Sequence, residues 1–190
     1  RGLSIQAHPN LEQAKQGFER EEASGVPIGA PDRNYRDKNH KPETICALSE
    51  FWALRGFRPL PEIAREFGDR RFDVVRSAVE ALSDGGDALR DLFEAIMRSE
   101  GRARQALIAG SLELAREKAD PGRTDRYYWM LELHRQFGDD IGIVAPLYLN
   151  CIRLEPNQAL YLSAGVLHAY LRGIGVELMA NSDNVLRGGC

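Results

Sequence analysis

Residues 156–189, PNQALYLSAGVLHAYLRGIGVELMANSDNVLRGG, decide the fold that the sequence predicts. Leu, Val, Ile and Tyr alternate here with short Pro- and Gly-containing breaks, a pattern that is typical of β-strands. His168 is the only histidine in the last quarter of the chain, and it lies between an apolar run and an alternating segment. His168 is therefore the anchor of a candidate site, whose other groups must come from elsewhere in the chain.

A second strand is predicted near the start of the sequence. Residues 3–8, LSIQAH, alternate apolar and polar side chains, which is the period of a half-buried strand. Since side chains two residues apart share a face of a strand, Ser4, Gln6 and His8 are expected to point the same way.

A helix and a long loop are predicted to follow. Asn10 is a suitable N-cap for LEQAKQGFEREEAS, residues 11–24. Residues 26–43, VPIGAPDRNYRDKNHKPE, are rich in Pro, Gly, Asn and Asp and are predicted to be loop. A residue before proline is driven to extended geometry, so Lys41 and Glu43 are expected on one face.

The middle of the chain has a different period. Residues 43–57 fit either a pair of strands or a strand that turns into a loop, whereas apolar residues over 60–137 recur at helical spacing. Strand character returns from Val144 onward.

Strands followed by helices and then by strands predict an α+β fold with an inserted helical region. We expect three segments: an N-terminal part of a β domain at 1–58, an inserted α-helical domain at 59–140, and a return to the β domain at 141–190.

Composition excludes several classes of partner. The 190 residues carry 25 Lys and Arg against 28 Asp and Glu, a net charge of −3. So balanced a charge creates no field that would attract nucleic acid or an anionic membrane, and no apolar run approaches the roughly 18 residues of a membrane span. Cys46, Cys151 and Cys190 suggest neither a disulfide framework nor a thiolate zinc site, so we expect a cytoplasmic protein.

Four side chains have the chemistry of a divalent-metal site. Gln6, His8, Glu43 and His168 together offer an amide oxygen, two imidazoles and a carboxylate, a set that suits zinc. Cobalt, manganese and nickel accept the same donors. Taken singly, each residue is more often a hydrogen-bonded or solvated side chain, so spacing alone does not decide for a metal.

Three longer motifs carry a family resemblance. They are SIQAHP at 4–9, RNYRDKNHKPE with ALSEFWALRGFRP at 33–59, and ALYLSAGVLHAYLRGIGVELMANSDNVLRGG at 159–189. Together they resemble the type I phosphomannose isomerases, zinc-dependent mannose-6-phosphate isomerases of the cupin superfamily. The resemblance implies a cupin-type β-barrel, or jelly roll, with strands from both ends of the chain and an inserted helical domain.

The resemblance also implies that the chain is an internal fragment of a longer protein. Its first residue is Arg1 rather than Met. The strands that precede SIQAHP in the family are missing, as is the C-terminal β domain. Cys190 stands where family members continue with Leu, Thr and Pro, so we expect the isolated fragment to be poorly stable and weakly active or inactive.

The family's site residues transfer onto matching positions of this chain. The resemblance implies one zinc ion per chain, with four ligands: Gln6, His8, Glu43 and His168. It implies catalytic roles for Arg187, Glu177 and Lys41, and substrate binding by Ser4, His40 and Tyr170.

The implied reaction interconverts mannose 6-phosphate and fructose 6-phosphate through a cis-enediol. Glu177 is the candidate base, and Arg187 is expected to hold the developing oxyanion or to orient the substrate. Lys41 either binds the phosphate or moves a proton, and both roles stay open. We expect a monomer whose partner is a small sugar phosphate.

Two other interpretations remain. A metal-binding cupin without isomerase activity would keep the four ligands, but it would not need Lys41 or Arg187. A helical scaffold with β flanks would bind no stoichiometric metal.

Overall fold

The computed structural model describes residues 2–85 and 87–189. Its elements alternate as the sequence predicts, with strands at both ends and helices between them. The strands are β1 Gln6–Ala7, β2 Glu43–Ala47, β3 Phe51–Phe57, β4 Leu149–Leu154, β5 Ala159–Leu162, β6 His168–Arg172, β7 Gly175–Met179 and β8 Leu186–Arg187. The α-helices are α1 Leu11–Ala23, α2 Leu60–Phe67, α3 Arg76–Glu80, α4 Ala88–Met97, α5 Gly101–Lys118, α6 Arg126–Phe137 and α7 Ala145–Tyr148.

The chain divides into two compact units. One contains residues 56–151 together with residues 2, 3 and 189, and the other contains residues 4–55 and 152–188. The mixed α and β content confirms the predicted α+β class. The three predicted segment bounds, 1–58, 59–140 and 141–190, stay a prediction.

The β-rich unit contains two antiparallel sheets. One has five strands in the order β4-β3-β6-β1-β8, and the other has three in the order β5-β2-β7. A buried apolar cluster joins side chains from both sheets: Ile45, Ala47, Phe51, Ala53, Leu162 and Tyr170. In the described residues the strands do not close into a barrel, so the jelly roll is not established by this structure.

Strand pairing aligns three predicted site residues in one row. Gln6 of β1 lies opposite His168 of β6 on one side and opposite Arg187 of β8 on the other. Directly opposed residues of antiparallel strands share a face of the sheet. Residues that are more than 160 positions apart in the sequence therefore become neighbours.

Strand β1 is shorter than the sequence predicts. Alternation indicated a strand over residues 3–8, but only Gln6 and Ala7 have ladder partners. His8 follows the strand, and its carbonyl accepts a hydrogen bond from the Gly165 amide at 2.7 Å. The His8 main chain is thus held in place without being part of the ladder.

Helix α1 begins where the sequence predicts. The Asn10 side chain accepts from the Gln13 amide at 2.8 Å, and the Gln13 side chain accepts from the Asn10 amide at 3.0 Å. This reciprocal capping box satisfies two main-chain donors that a helix start leaves unpaired. The loop that follows occupies residues 26–42, one residue less than the predicted 26–43, because Glu43 begins β2.

The helical unit departs from the predicted helices at residues 70–84. Helical spacing of apolar residues continues through this range, but the structure has a 3₁₀ turn at Arg70–Val75, then α3, then a second 3₁₀ turn at Ala81–Asp84. Phe72 lies outside helical φ/ψ and is fully buried. The stability gained by burying this ring outweighs the stability of a regular helix here, since tertiary packing routinely overrides helix propensity.

The return to strands also comes later than predicted. Residues 141–144 form a 3₁₀ turn and α7 follows it, so the strand begins at Leu149 rather than at Val144. Asp140 caps the turn through the Gly142 amide, and Pro146 occupies the first turn of α7. All residues of 141–148 are buried, so the segment lacks the alternation of apolar and polar residues that distinguishes a helix from a strand in a sequence.

Within the described residues, no helix combines the length and the apolar character needed to cross a membrane.

Gly173 should be the glycine of the β-rich unit that is least tolerant of a side chain. Its φ is +132°, and a Cβ there would lie 2.8 Å from the Glu50 carbonyl oxygen and 2.8 Å from the Phe51 Cα. We expect Gly173→Ala to lower the free energy of unfolding by more than about 2 kcal/mol, because strain and overpacking add. Urea denaturation measures this loss.

Gly25→Ala is the matched control. Gly25 also has a positive φ, +71°, but a Cβ there would meet nothing within 4 Å. Its loss should be about 1 kcal/mol. Equal losses for the two variants would contradict the steric explanation.

Candidate metal centre

The four predicted donors lie in strands of the β-rich unit or directly after them. β1 places Gln6 opposite His168, and His8 follows two residues later. Glu43 is the first residue of β2, directly after the predicted loop. The elements that carry these donors are thus rigid strands and their immediate ends, which suits a precise site.

His8, Glu43 and His168 converge on one buried point. The distance from His8 Nε2 to Glu43 Oε1 is 3.2 Å, and that from His168 Nε2 to Glu43 Oε2 is 3.3 Å. One potential ligand atom from each residue lies within 4.8 Å of the other two. The three side chains are only 3%, 2% and 1% exposed. The sequence predicted that these residues would come together, and they do.

Main-chain carbonyls set the orientation of both imidazoles. His8 Nδ1 lies 2.7 Å from the Asn184 carbonyl oxygen, and His168 Nδ1 lies 2.9 Å from the Val166 carbonyl oxygen. A carbonyl only accepts, so each Nδ1 carries the proton and each Nε2 presents a lone pair. This is the orientation in which histidine binds a metal.

Gln6 lies beside the same point. Its side-chain Nε2 is 3.5 Å from His168 Nε2. The two ends of an amide are assigned from their hydrogen bonds, and a rotation about the last bond exchanges them. That rotation would turn Oε1, the end that binds cations, toward the imidazole nitrogens.

The Glu43 carboxyl is held in its charged form. Burial would raise its pKa, but the close contacts with His168, His8 and Lys41 outweigh burial, and the pKa is lowered well below its usual range. A carboxylate therefore faces two imidazole nitrogens at neutral pH.

Two atoms of this cluster are buried without a hydrogen-bond partner: His8 Nε2 and Glu43 Oε2. Buried polar atoms are almost always paired, so such an exception requires an explanation. Imidazole lone pairs that point at a carboxylate repel it, and a cation between them removes both the repulsion and the unpaired atoms. The residues present therefore fit a divalent metal ion with nitrogen and oxygen ligands.

Lys41, Tyr170 and Glu177 contact this cluster or one another. Lys41 Nζ lies 3.1 Å from Glu43 Oε1, as a shared strand face predicts. The Tyr170 ring lies 5.8 Å from the His168 ring, and its hydroxyl donates to Glu177 Oε1 at 2.7 Å. Burial, and then the bond to Glu177 with its charge, raises the pKa of Tyr170, so the hydroxyl stays a donor.

The other three predicted residues are not drawn into contact with the metal ligands. Arg187 is exposed, and no hydrogen bond or ion pair joins its side chain to any residue in 2–85 or 87–189. Ser4 is half-buried and His40 is exposed. Neither makes a hydrogen bond or ion pair with the ligands in the described part of the chain.

Sequence reasoning missed two residues of this region, Arg36 and Asn184. Arg36 and Arg187 line a small polar cleft of about 270 Å³ with Pro31, Arg33, Asn34 and Val185. Asn184 is fully buried and contacts His8 through its carbonyl. Neither residue has a local signal, because nothing in the sequence around it shows that the two segments meet.

The family model and the curated relatives that match this chain carry names of the same kind of protein. A family model described as phosphomannose isomerase type I, catalytic domain, matches residues 1–60. Mannose-6-phosphate isomerases of Salmonella typhimurium and Escherichia coli are each 37% identical over 193 residues, and the human protein of that name is 35% identical over 201. The match covers 98% of this chain, which spans about half the length of these relatives, 47% for the bacterial proteins.

Solved structures agree with the sequence relatives. A zinc-bound holo mannose 6-phosphate isomerase superposes with a TM-score of 0.86 at 34% identity, covering all of this chain and 47% of that one. The apo form from Salmonella typhimurium gives a TM-score of 0.85 at 35% identity, covering all of this chain and 48% of that one.

Removing the charge of Glu43 should abolish tight metal binding. Glu43→Gln keeps the side-chain volume but leaves two imidazoles without an anionic partner for the cation. We expect zinc affinity, measured by competition with a chromogenic chelator, to fall by more than the roughly 10–100-fold that loss of a ligand-orienting residue costs.

His134→Ala is the matched control. His134 lies on α6, where its Nε2 is 3.1 Å from Asp139, and it is one-third exposed. It should leave zinc affinity unchanged. Equal losses in the two variants would place the measured zinc outside the proposed centre.

Proposed function

We propose that the chain belongs to the type I phosphomannose isomerase family and that the protein interconverts mannose 6-phosphate and fructose 6-phosphate. The observation that carries this proposal is the buried convergence of His8, Glu43 and His168 beside Gln6. The curated relatives bear the name mannose-6-phosphate isomerase, and this chain contains about half of their length.

One zinc ion per chain is the proposed cofactor. Its ligands would be Gln6 Oε1, His8 Nε2, the Glu43 carboxylate and His168 Nε2. When bound, a divalent cation supplies Lewis-acid polarisation of the substrate oxygens next to the reacting carbons. A solved relative is described as zinc bound, which favours zinc among the metals that these donors accept.

Glu177 is the proposed base that moves a proton between C1 and C2 through the cis-enediol. Its carboxylate accepts a hydrogen bond from the Tyr170 hydroxyl at 2.7 Å, and the Tyr170 ring lies 5.8 Å from the ring of His168, a proposed ligand. Tyr170 therefore orients the carboxylate from a position beside the metal ligands. A positioned base typically contributes about 10²–10⁴-fold in rate.

Lys41 is better suited to an electrostatic role than to proton transfer. Its amine makes an ion pair with Glu43 at 3.1 Å, a contact of the ammonium form, and its side chain is only 14% exposed. From this position it can hold a substrate oxygen or phosphate near the metal ligands. The alternative, in which Lys41 shuttles the proton, would require it to leave this pair.

Arg187 is proposed to bind and orient the substrate anion. A guanidinium is permanently charged and presents a fixed fork of donors that matches phosphate or an enediolate oxygen. Arg187 lies across from Gln6 in the sheet and has no partner of its own in the described chain, so its donors are available. Arg36 lines the same polar cleft and adds positive charge.

Ser4, His40 and Tyr170 complete the proposed substrate-binding set. We further propose a monomeric cytoplasmic enzyme with no nucleic-acid or membrane partner. A cupin-type jelly roll is the proposed fold of the whole β domain. The alternative, a metal-binding cupin without isomerase activity, has no use for the unpaired Arg187 and the Tyr170–Glu177 pair.

Arg187→Ala should lower kcat/KM for mannose 6-phosphate by about 10²-fold or more, the usual cost of one donor to a developing anion. A coupled assay on the complete protein measures turnover. Zinc content should stay at the parent value, since the Arg187 side chain makes no hydrogen bond or ion pair with the ligands in the described part of the chain. Arg172→Ala, on β6 and paired with Glu50, is the control and should retain full turnover. Normal turnover of Arg187→Ala would contradict the assignment.

Glu177→Gln should abolish proton transfer while leaving the Tyr170 hydrogen bond, because an amide oxygen still accepts. We expect kcat to fall by about 10²–10⁴-fold. Exchange of the substrate C2 hydrogen with deuterated solvent, followed by NMR, should stop as well. Tyr170→Phe, which removes only the orienting bond, should cause a smaller loss. Continued exchange in Glu177→Gln would move the base to another residue.

A further inference from the structure

The side chain of Asn184 is buried and fully hydrogen-bonded, unlike a typical side chain in a surface turn. It is 0% exposed. Its Oδ1 accepts from the Arg36 amide at 2.7 Å and from the Asp37 amide at 3.1 Å. Its Nδ2 donates to the carbonyl oxygens of Asp37 and Asn39, both at 2.9 Å. An amide side chain offers two protons and two lone pairs, so these contacts use its full capacity.

These contacts fix the main chain around residues 36–39 at four peptide groups. Ser182 reinforces the junction, because its hydroxyl donates to the Asp37 carboxylate at 2.9 Å. The Asp183 amide donates to the same carboxylate at 2.9 Å. Segment 181–184 and loop 36–39 are therefore joined by a dense hydrogen-bond network, although more than 140 residues separate them.

The loop end that Asn184 holds leads directly into the metal centre. The Asn39 carbonyl, bound by Asn184, lies two residues before Lys41 and four before Glu43. Lys41 is kept extended by the proline after it, so the main chain between the held carbonyl and Glu43 has little conformational freedom. A shift of the loop would move both side chains.

The main chain of Asn184 acts on a second ligand. Its carbonyl oxygen accepts from His8 Nδ1 at 2.7 Å, which makes Nε2 the free, metal-facing nitrogen of that ring. Because the side chain anchors residue 184 on the loop, the carbonyl is held at a defined distance from His8. One residue therefore connects His8 with the segment that carries Lys41 and Glu43.

We propose that Asn184 is a positioning residue for the metal centre, which sets the tautomer and place of His8 and the place of Glu43 together. This inference rests on the proposed metal site, but not on the isomerase reaction. Residues that orient metal ligands typically contribute about 10–100-fold to metal affinity. A purely structural Asn184 would contribute to stability and leave metal affinity unchanged.

The test compares Asn184→Ala and Asn184→Asp in the complete protein. Zinc affinity is measured by chelator competition, and the ligand geometry by the visible absorption of the cobalt-substituted protein. We expect zinc affinity to fall by about 10–100-fold and the cobalt spectrum to change. Asn184→Asp keeps the size of the side chain but places oxygen against two carbonyls and the Asp37 carboxylate, so its loss should be at least as large.

Asn150→Ala is the matched control. The Asn150 side chain donates to the carbonyl oxygens of Gly56 and Phe57 at 3.1 and 2.9 Å. Losing it removes comparable amide-to-main-chain bonds away from the ligands. It should lower the urea midpoint while leaving zinc affinity and the cobalt spectrum at parent values.

Ser182→Ala provides a milder variant if loss of Asn184 prevents folding. It removes one hydrogen bond to Asp37 and one acceptor for the Asn184 amide, at 3.2 Å. Zinc affinity should fall less than in Asn184→Ala, in the same direction. Nitrogen-15 NMR of the parent should show the proton of His8 on Nδ1.

The inference is overturned if Asn184 or Ser182 variants lose stability but bind zinc as the parent does, or if the His8 proton is on Nε2. A parent that binds no metal overturns it as well. A parent that binds zinc tightly without turning over mannose 6-phosphate would refute the proposed reaction and leave the role of Asn184 intact.

Discussion

The structure of the β-rich unit depends on how a buried carboxylate is neutralised. Glu43 is almost fully inaccessible to solvent, and burying an unpaired charge is costly. Lys41 supplies one partner, but the two imidazoles present lone pairs and cannot serve as donors through Nε2. A cation between Glu43, His8 and His168 resolves this conflict, and the strands around it keep these side chains converged.

Antiparallel register is what makes such convergence possible. Gln6 meets His168 and Arg187 because β1 pairs with β6 on one side and with β8 on the other. Glu43 is carried by the second sheet, whose strand β2 lies between β5 and β7. A one-residue slip in either sheet would turn these side chains to the opposite face. A cation bound at this point would therefore help to hold the sheet register.

The hydrogen-bond network around Asn184 holds segments of the site that lie outside the strands. Strand pairing defines the positions of residues 6, 43 and 168, whereas His8 and Lys41 lie just outside the ladders. Main-chain hydrogen bonds to a fully satisfied amide hold these irregular segments at fixed positions. Buried polar networks of this kind are effective when every member is paired, as it is at Asn184.

The α+β class, the capped start of α1, the long loop and the choice of His8, Glu43 and His168 as candidate donors could all be predicted from the sequence, because each depends on local chemistry or on a recognisable motif. Tertiary structure decided the short β1, the interrupted helix around Phe72 and the late start of β4, where burial overrides local periodicity. It also decided the role of Asn184. A turn motif indicates that an amide is present, but only pairing between distant segments determines which peptide groups that amide meets.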